Sequence, residues 1–472
     1  MERIKAVTVL KTFSDKELKK FEDFLSSPYI NKGKRYIIRF YEELSGYISD
    51  YTFQAFSKKE VYRKLYPKER YNDVRFRKLS SELYKFMLEF LAVESFTSEK
   101  KLKREFILSE LNHRNTGNLF ESELKNSYFD LHKTDLKNDN YFKHMYELVS
   151  KEKFYFFQRK RSRALNMFDK EMIYFTKYSL SLFLLKFIER TLEMRFFKAQ
   201  KFDLPLFGEI ITFIRKNNML NDPFINLLYL QLSLCINDDD EIYFKLRKLL
   251  HKEEKKLDRN QIKILYTILS NYAAERTEKG VPGFPEEILS VNLEIIKKDL
   301  TEQYISGFLF VNIVTLFLKF KRINALNRFI KENSVKLNPE IREAVLNYCY
   351  SCLAFYNKDF EKAIGHLSKI NFDHYQLKFS IKNLTLKIYF EQKHYEATYS
   401  LMDSYRHILK RETEIPDSIK KTISAFLKFL KELTDIKTGK KTNEKQILTK
   451  EIKNSSPAEK QWLLEKINEL GS

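Results

Sequence analysis

Glycine and proline are both scarce, at ten and nine of 472 residues. That is about 2% each, where roughly 7% and 5% are usual. Tight β-turns and catalytic loops consume both residues, so their shortage speaks for helices joined by short connections. Cys235, Cys349 and Cys352 are the only cysteines. They are too few for a disulfide framework, and the CxxC spacing of Cys349 and Cys352 has no second pair to complete four zinc ligands. All three read as small core residues. The eight histidines are scattered without an HExxH, and GxxxxGK[ST], GxGxxG and GxSxG are all missing, so no catalytic, cofactor or metal residue is assigned. No apolar run approaches the roughly 18 residues of a membrane span. AVTVL near the start is cut off by Lys11, too early for a signal-peptide core. The expectation is a cytoplasmic, non-enzymatic chain without cofactor or membrane insertion.

What the sequence has instead is charge and aromatic mass at short range: 32% charged, 43% hydrophobic and 15% aromatic residues. Amphipathic helices interleave the two in this way. Helix starts are announced by capping chemistry, in which a Ser side chain accepts from a backbone N–H while a Glu three residues on reaches back. Ser14-x-x-Glu17, Ser57-x-x-Glu60 and Ser456-Pro457-x-Glu459 fit this pattern, and Asn338-Pro339 adds a cap with proline at the first helical position. Neither breaker occurs between Gly117 and Pro205, which predicts long helices there, interrupted near Lys137–Asn140.

The C-terminal half repeats itself. In LFLKFKRINALNRFI, CLAFYNKDFEKAIGHLSKI and LKIYFEQKHYEATYSLM, an apolar helix runs into a polar turn and a second helix opens on Ile323, Phe360 or Tyr395. These anchors recur about every 35 residues, near the tetratricopeptide period of roughly 34. The middle unit looks most like that consensus, with Phe360 and Ala363 opening its second helix and Ser351 and Ala354 giving the first a small-residue face; Leu326 and Thr398 stand at the small position in its neighbours. Weaker pairs are drawn over Lys177–Leu250 and Asn260–Leu300, the latter with a long internal loop, ERTEKGVPGFPEE. One such pair cannot bury its apolar face alone, so the expected fold is all-α, an N-terminal helical domain followed by a solenoid of antiparallel helix pairs.

The chain also resembles a family of uncharacterised bacterial proteins with tetratricopeptide-like helical repeats. FEDFLSSPYINKGK, LYPKERYNDVRFRKLSSELYKFMLEFL, NYAAERTEKGVPGF, FVNIVTLFLKFKRINALNRFI, LMDSYRHILKRE and EKQWLLEKI carry the resemblance, which implies the repeat architecture and no particular activity. Within it, Leu65-Tyr66-Pro67 and the stretch Arg77 to Leu83 resemble the winged-helix domain of bacterial transcriptional activators that precede helical repeats. That resemblance implies a groove-entering helix. Its stripe of Phe76, Leu79, Leu83, Phe86 and Phe90 would be buried, turning Arg77, Lys78, Ser81 and Lys85 outward. Glu82 and Glu89 interrupt that basic face, and the stretch after Leu91 reads as another helix where a β-wing would stand.

Net charge is +21. Residues 151–200 hold twelve Lys or Arg against five Asp or Glu, and residues 401–450 hold twelve against seven. The densest cluster, KEKFYFFQRKRSR, interleaves Arg159, Lys160, Arg161 and Arg163 with aromatics, a composition suited to phosphate contact with base stacking. The expected segments are a helical domain at 1–95, long connecting helices at 96–175, repeats at 176–436, a basic flexible linker at 437–455 and a capping helix at 456–472 that buries Trp462. The expected function is a protein-binding scaffold or regulatory adaptor whose concave face holds another protein or peptide. The alternative is a nucleic-acid-binding regulator using the N-terminal domain, the cluster at 151–163, or both.

Overall fold

The computed structural model describes residues 4–49, 57–197, 204–370, 375–411, 417–441 and 445–471. Among them the regular structure is helical, with one isolated extended pairing, Ile305 with Leu337, and no strand. No helix of these residues is long and apolar enough to cross a membrane. The chain divides into two compact units, Met1–Ser179 and Leu180–Ser472.

The first unit opens with α1 (Lys5–Leu10), α2 (Asp15–Ser26), α3 (Pro28–Asn31), α4 (Arg35–Ser49), α5 (Lys58–Leu65) and α6 (Asp73–Ser98). It continues with α7 (Lys100–His113), α8 (Gly117–Lys133), α9 (Asp139–Arg159) and α10 (Arg161–Phe197), which crosses the division between the units. The Ser14 box closes in both directions at the start of α2. At Ser57 the side chain makes no cap hydrogen bond. Asn72 caps α6 by accepting from the Arg75 N–H at 3.0 Å. The expected stripe of α6 is buried throughout, with Phe76 against Phe40 and Phe90 against Phe13 and Phe21, ring centroids 5.3–5.6 Å apart. Each buried Phe contributes roughly 1.5–3 kcal/mol, so this stripe holds the first six helices together. Residue 95 lies inside α6, which runs on to Ser98. The break near Lys137–Asn140 falls between α8 and α9, where Asn138 accepts from the Tyr141 N–H at 3.2 Å.

The second unit holds α11 (Phe207–Lys216), α12 (Pro223–Ile236), α13 (Asp240–Glu253), α14 (Arg259–Glu278), α15 (Phe284–Lys297), α16 (Gly307–Lys319) and α17 (Ile323–Asn333). After these come α18 (Pro339–Tyr356), α19 (Phe360–Leu367), α20 (Tyr375–Glu391), α21 (Tyr395–Arg411), α22 (Asp417–Lys437), α23 (Lys445–Asn454) and α24 (Lys460–Asn468). From α12 to α21, each even-numbered helix packs on its successor, and α16, α18 and α20 pack in series. The expected long loop at 275–287 shrinks to five residues, Lys279–Gly283. Gly280 (φ 78°) and Gly283 (φ 83°) turn the chain within that length, because only glycine takes such backbone without a Cβ penalty.

Ile323, Phe360 and Tyr395 are each the first residue of a helix. The turn before each is the same. Lys321, Lys358 and Lys393 sit in left-handed backbone at φ 57°, 60° and 61°. One residue later, the N–H of Arg322, Asp359 or His394 reaches the carbonyl of Phe317, Ala354 or Tyr389 at 2.9 Å. This is a Schellman stop, which satisfies carbonyls left open at a helix end. Three residues past each anchor, Leu326, Ala363 and Thr398 are fully buried. Ser351 donates to the Ala363 carbonyl at 2.8 Å, so α18 and α19 approach closely where both side chains are small. Phe360 is half-buried beside Phe355, and Ile323 and Tyr395 are likewise half-buried.

The C-terminal segment differs from expectation in two ways. Within 437–455, α23 is a packed helix with Leu448 and Ile452 buried; residues 442–444 lie outside the described set. The last helix starts at Lys460, later than the Ser456 cap predicts. Glu459 does not close a box onto Ser456; its carboxylate accepts from Lys387 at 2.7 Å, and it takes left-handed backbone as the N-cap itself. Trp462 and Leu463 are buried, the indole N–H donating to Glu391 at 2.9 Å and the ring lying 5.5 Å from Phe390.

Two substitutions test the repeated turn and the close approach. Lys358→Gly relieves a left-handed Cβ and is expected to stabilise by roughly 0.5–1 kcal/mol. Ala363→Leu overpacks the α18–α19 contact and is expected to destabilise by roughly 1–3 kcal/mol. Denaturant unfolding of the full chain reads both, and an Ala363→Leu variant as stable as wild type contradicts the packing described.

Candidate functional site

The basic cluster at the α9–α10 turn is engaged with its own unit. Arg159 donates to Asn115 at 2.7 Å and lies over the Tyr155 ring at 4.2 Å. Arg163 lies over Phe156 at 3.7 Å and pairs with Glu152 at 3.5 Å and Glu121 at 3.8 Å. Arg161 covers the Phe157 ring at 5.2 Å. Lys160 is exposed at the helix junction. Tyr155 and Phe156 are buried, leaving Phe154 and Phe157 as the exposed aromatics of the run. Arg159, Arg161 and Arg163 stay exposed, but each lies over a ring face, from which a guanidinium gains.

The outward face of α6 lines a groove of about 800 Å³, with Tyr29, Ile30, Asn31, Lys32 and Lys34 as its other wall. Arg77, Lys78, Ser81 and Lys85 all line it, together with Glu82 and Glu89. Arg77 is tied back to Asp73 at 2.6 Å. Lys34 binds Glu82 at 2.6 Å, and the Tyr36 hydroxyl donates to the same carboxylate at 3.0 Å. The pairing with Glu82 raises the Lys34 pKa.

A second groove, about 590 Å³, runs between α14 and α16. Thr267, Ser270 and Asn271 line it from α14, and Asn312, Thr315 and Leu316 from α16, while α15 contributes the buried Asn292. Ser270 donates to Asn292 at 2.7 Å. Among the described residues the side-chain amides of Asn271 and Asn312 hold no hydrogen bond, so two amide groups face an open channel.

Sequence reasoning missed one cluster. Glu105 on α7 meets His144 and Glu147 on α9, with their ligand atoms all within 4.8 Å of one another. His144 and Glu147 are visible as a helical i, i+3 pair, but Glu105 stands 39 positions before His144. The His144 Nδ1 lies 3.0 Å from Glu105 and 3.3 Å from Glu147. Burial disfavours the imidazolium, but the hydrogen bonds to both carboxylates outweigh it and raise the His144 pKa. Burial likewise opposes ionisation of Glu147, and the bonds to His144 and Glu105 prevail and lower its pKa. Lys143 approaches Glu147 at 3.9 Å, and Lys101 faces His144. With two ammonium groups already at its edge, the cluster is arranged as an ion-pair clamp between α7 and α9.

The thiols are arranged for packing. Cys349 is fully buried, and burial pushes its pKa well above the usual thiol range; burial also pushes Cys352 up to about 12. Neither is poised as a thiolate nucleophile or metal ligand. Comparison with protein-family models, with curated proteins and with solved structures finds no match to this chain.

The clamp carries a pH signature with a definite sign. A raised histidine pKa contributes stability below the unfolded value near 6.5 that is lost as pH rises through the folded pKa; a lowered Glu147 pKa contributes stability above about 4.3 that is lost on acidification. The clamp is therefore strongest in the mildly acidic window between these values. His144→Gln is expected to melt lower than wild type near pH 6, with the gap narrowing as pH rises toward 8.5. A gap that stays constant across this range removes the electrostatic role.

Proposed function

We propose that this chain is a non-enzymatic protein-binding scaffold or regulatory adaptor, its second unit a tetratricopeptide-like solenoid that holds an extended peptide. Three features support the solenoid. Helices open about every 35 residues on Ile323, Phe360 and Tyr395, the same Schellman turn precedes each, and the third residue past each anchor is fully buried. The observation that carries the binding role is the channel between α14 and α16, with the uncommitted amides of Asn271 and Asn312 on opposite walls. A side-chain amide offers both donor and acceptor, matching the N–H and C=O of an extended main chain whatever its sequence. Phe308, largely exposed at the channel's rim, offers an apolar anchor.

The second reading, a nucleic-acid-binding regulator, draws on Arg77, Lys78 and Lys85 sharing one exposed face of α6. It is the weaker one. Glu82 and Glu89 lie on the same face, and Arg159, Arg161 and Arg163 are already occupied by rings, amides and carboxylates.

The test is selection of linear peptides from a random displayed library against the full chain, followed by affinity measurement on the Asn271→Ala/Asn312→Ala variant. Two lost hydrogen bonds at roughly 0.5–1.5 kcal/mol each predict binding roughly 5- to 150-fold weaker with an unchanged melting point. Peptides that bind both forms equally, or a selection that yields none, would remove the channel from consideration.

A further inference from the structure

The groove of the first unit has a chemistry that the scaffold reading does not use and the nucleic-acid reading uses only in part. Lys32, Lys34, Arg77, Lys78 and Lys85 line it against only two carboxylates, Glu82 and Glu89. Lys34 and Arg77 are committed to Glu82 and Asp73. Lys32, Lys78 and Lys85 are exposed and, among the described residues, have no ion-pair partner. Its volume of about 800 Å³ is in the range that encloses a ligand of drug size, enough for a short polypeptide segment. Apolar surface flanks the charge: Tyr29 is 88% and Val74 61% exposed, with Phe86 beneath.

One further observation is independent of charge. Asn31, the last residue of α3, lines this groove and is only 4% exposed, yet its buried Oδ1 accepts no hydrogen bond. A buried amide oxygen without a donor is destabilising, and native folds leave few of them. Side-chain donors do stand along the groove, on Lys32 and Lys34, but neither bonds to this oxygen. That oxygen has almost no accessible surface, so a ligand N–H recovers the unmet bond only when the Asn31 side chain turns into the groove.

We propose that this groove binds an acidic segment of a partner polypeptide. Its carboxylates would meet Lys32, Lys78 and Lys85, one main-chain N–H would donate to Asn31 once that side chain turns into the groove, and an apolar side chain would rest against Tyr29 and Val74. A polypeptide fits better than a nucleic-acid backbone for two reasons. Phosphates only accept hydrogen bonds, so they cannot satisfy another acceptor, whereas every non-proline peptide unit carries an N–H. Glu82 and Glu89 would also repel an evenly charged phosphate track, while a peptide can place carboxylates at the lysines and neutral residues opposite the glutamates. The inference shares with the proposed function the premise that the chain binds polypeptide, but it uses a different unit and different chemistry.

Fluorescence anisotropy with the full chain tests it, using a labelled eight-residue peptide alternating Glu with Leu, the same peptide with Gln for Glu, and a labelled single-stranded oligonucleotide, all at physiological salt. The acidic peptide is expected to bind at least tenfold tighter than its Gln version. That preference should be lost in Lys78→Glu/Lys85→Glu and kept in a control reversal of two exposed lysines elsewhere, Lys319→Glu/Lys331→Glu. Asn31→Leu supplies a readout that misfolding cannot mimic, since removing the unmet acceptor should raise the melting point while weakening the peptide several-fold. Equal binding of the two peptides overturns the proposal, as does equal loss in the control reversal. Tighter binding of the oligonucleotide that vanishes in Lys78→Glu/Lys85→Glu overturns it in favour of nucleic acid. Loss of acidic-peptide binding in Asn271→Ala/Asn312→Ala, with Lys78→Glu/Lys85→Glu unaffected, assigns the peptide to the second unit.

Discussion

An amphipathic helix cannot bury its own apolar stripe, and this constraint organises the whole chain. Among the described residues no sheet or disulfide shares the task. The aromatic stripe of α6 is covered by α1, α2 and α4 in the first unit. In the second unit, successive helices cover one another pair by pair. Aromatic mass makes this workable: large rings bury much area per residue, and tilted or edge-on contacts such as Phe21 with Tyr41 add to it. Where two helices must approach more closely, the chain uses small side chains, as at Ser351 and Ala363.

The excess of positive charge is accommodated by three different physical means. Some cations rest on ring faces, as Arg163 does on Phe156. Others are absorbed by partly buried carboxylates, as at the Lys153–Glu171 pair or where Lys466 meets Glu391. A remainder stays in water, and Lys32, Lys78 and Lys85 belong to it, gathered on one groove. Composition alone cannot sort a lysine into these classes, because the sorting depends on which carboxylate or ring the fold brings within reach. This is why the arginines of the densest basic run, around Arg159–Arg163, are held by rings and carboxylates of their own unit, while lysines of a sparser set on α6 stay unpaired.

Helix starts were most legible where the signal is local. Ser14, Asn338 and the anchors Ile323, Phe360 and Tyr395 mark real starts, because a cap or a turn is decided by a few adjacent residues. The same local pattern misled at Ser456, where Glu459 had a distant competitor in Lys387. It also misled at 437–455, where a lysine-rich stretch read as linker still carries Leu448 and Ile452 in helical register and buries both.

The sequence by itself determined the all-helical class and the buried stripe of α6, because periodicity and capping are short-range physics. Tertiary structure alone decided which polar groups have partners. Glu105 joins His144 and Glu147, Asn271 and Asn312 face one channel, and Asn31 lines a lysine-rich groove with an unmet acceptor. Each of these groupings unites residues dozens of positions apart or leaves a polar atom unsatisfied. Neither outcome is written in local pattern, since both arise only once packing has chosen neighbours and excluded water.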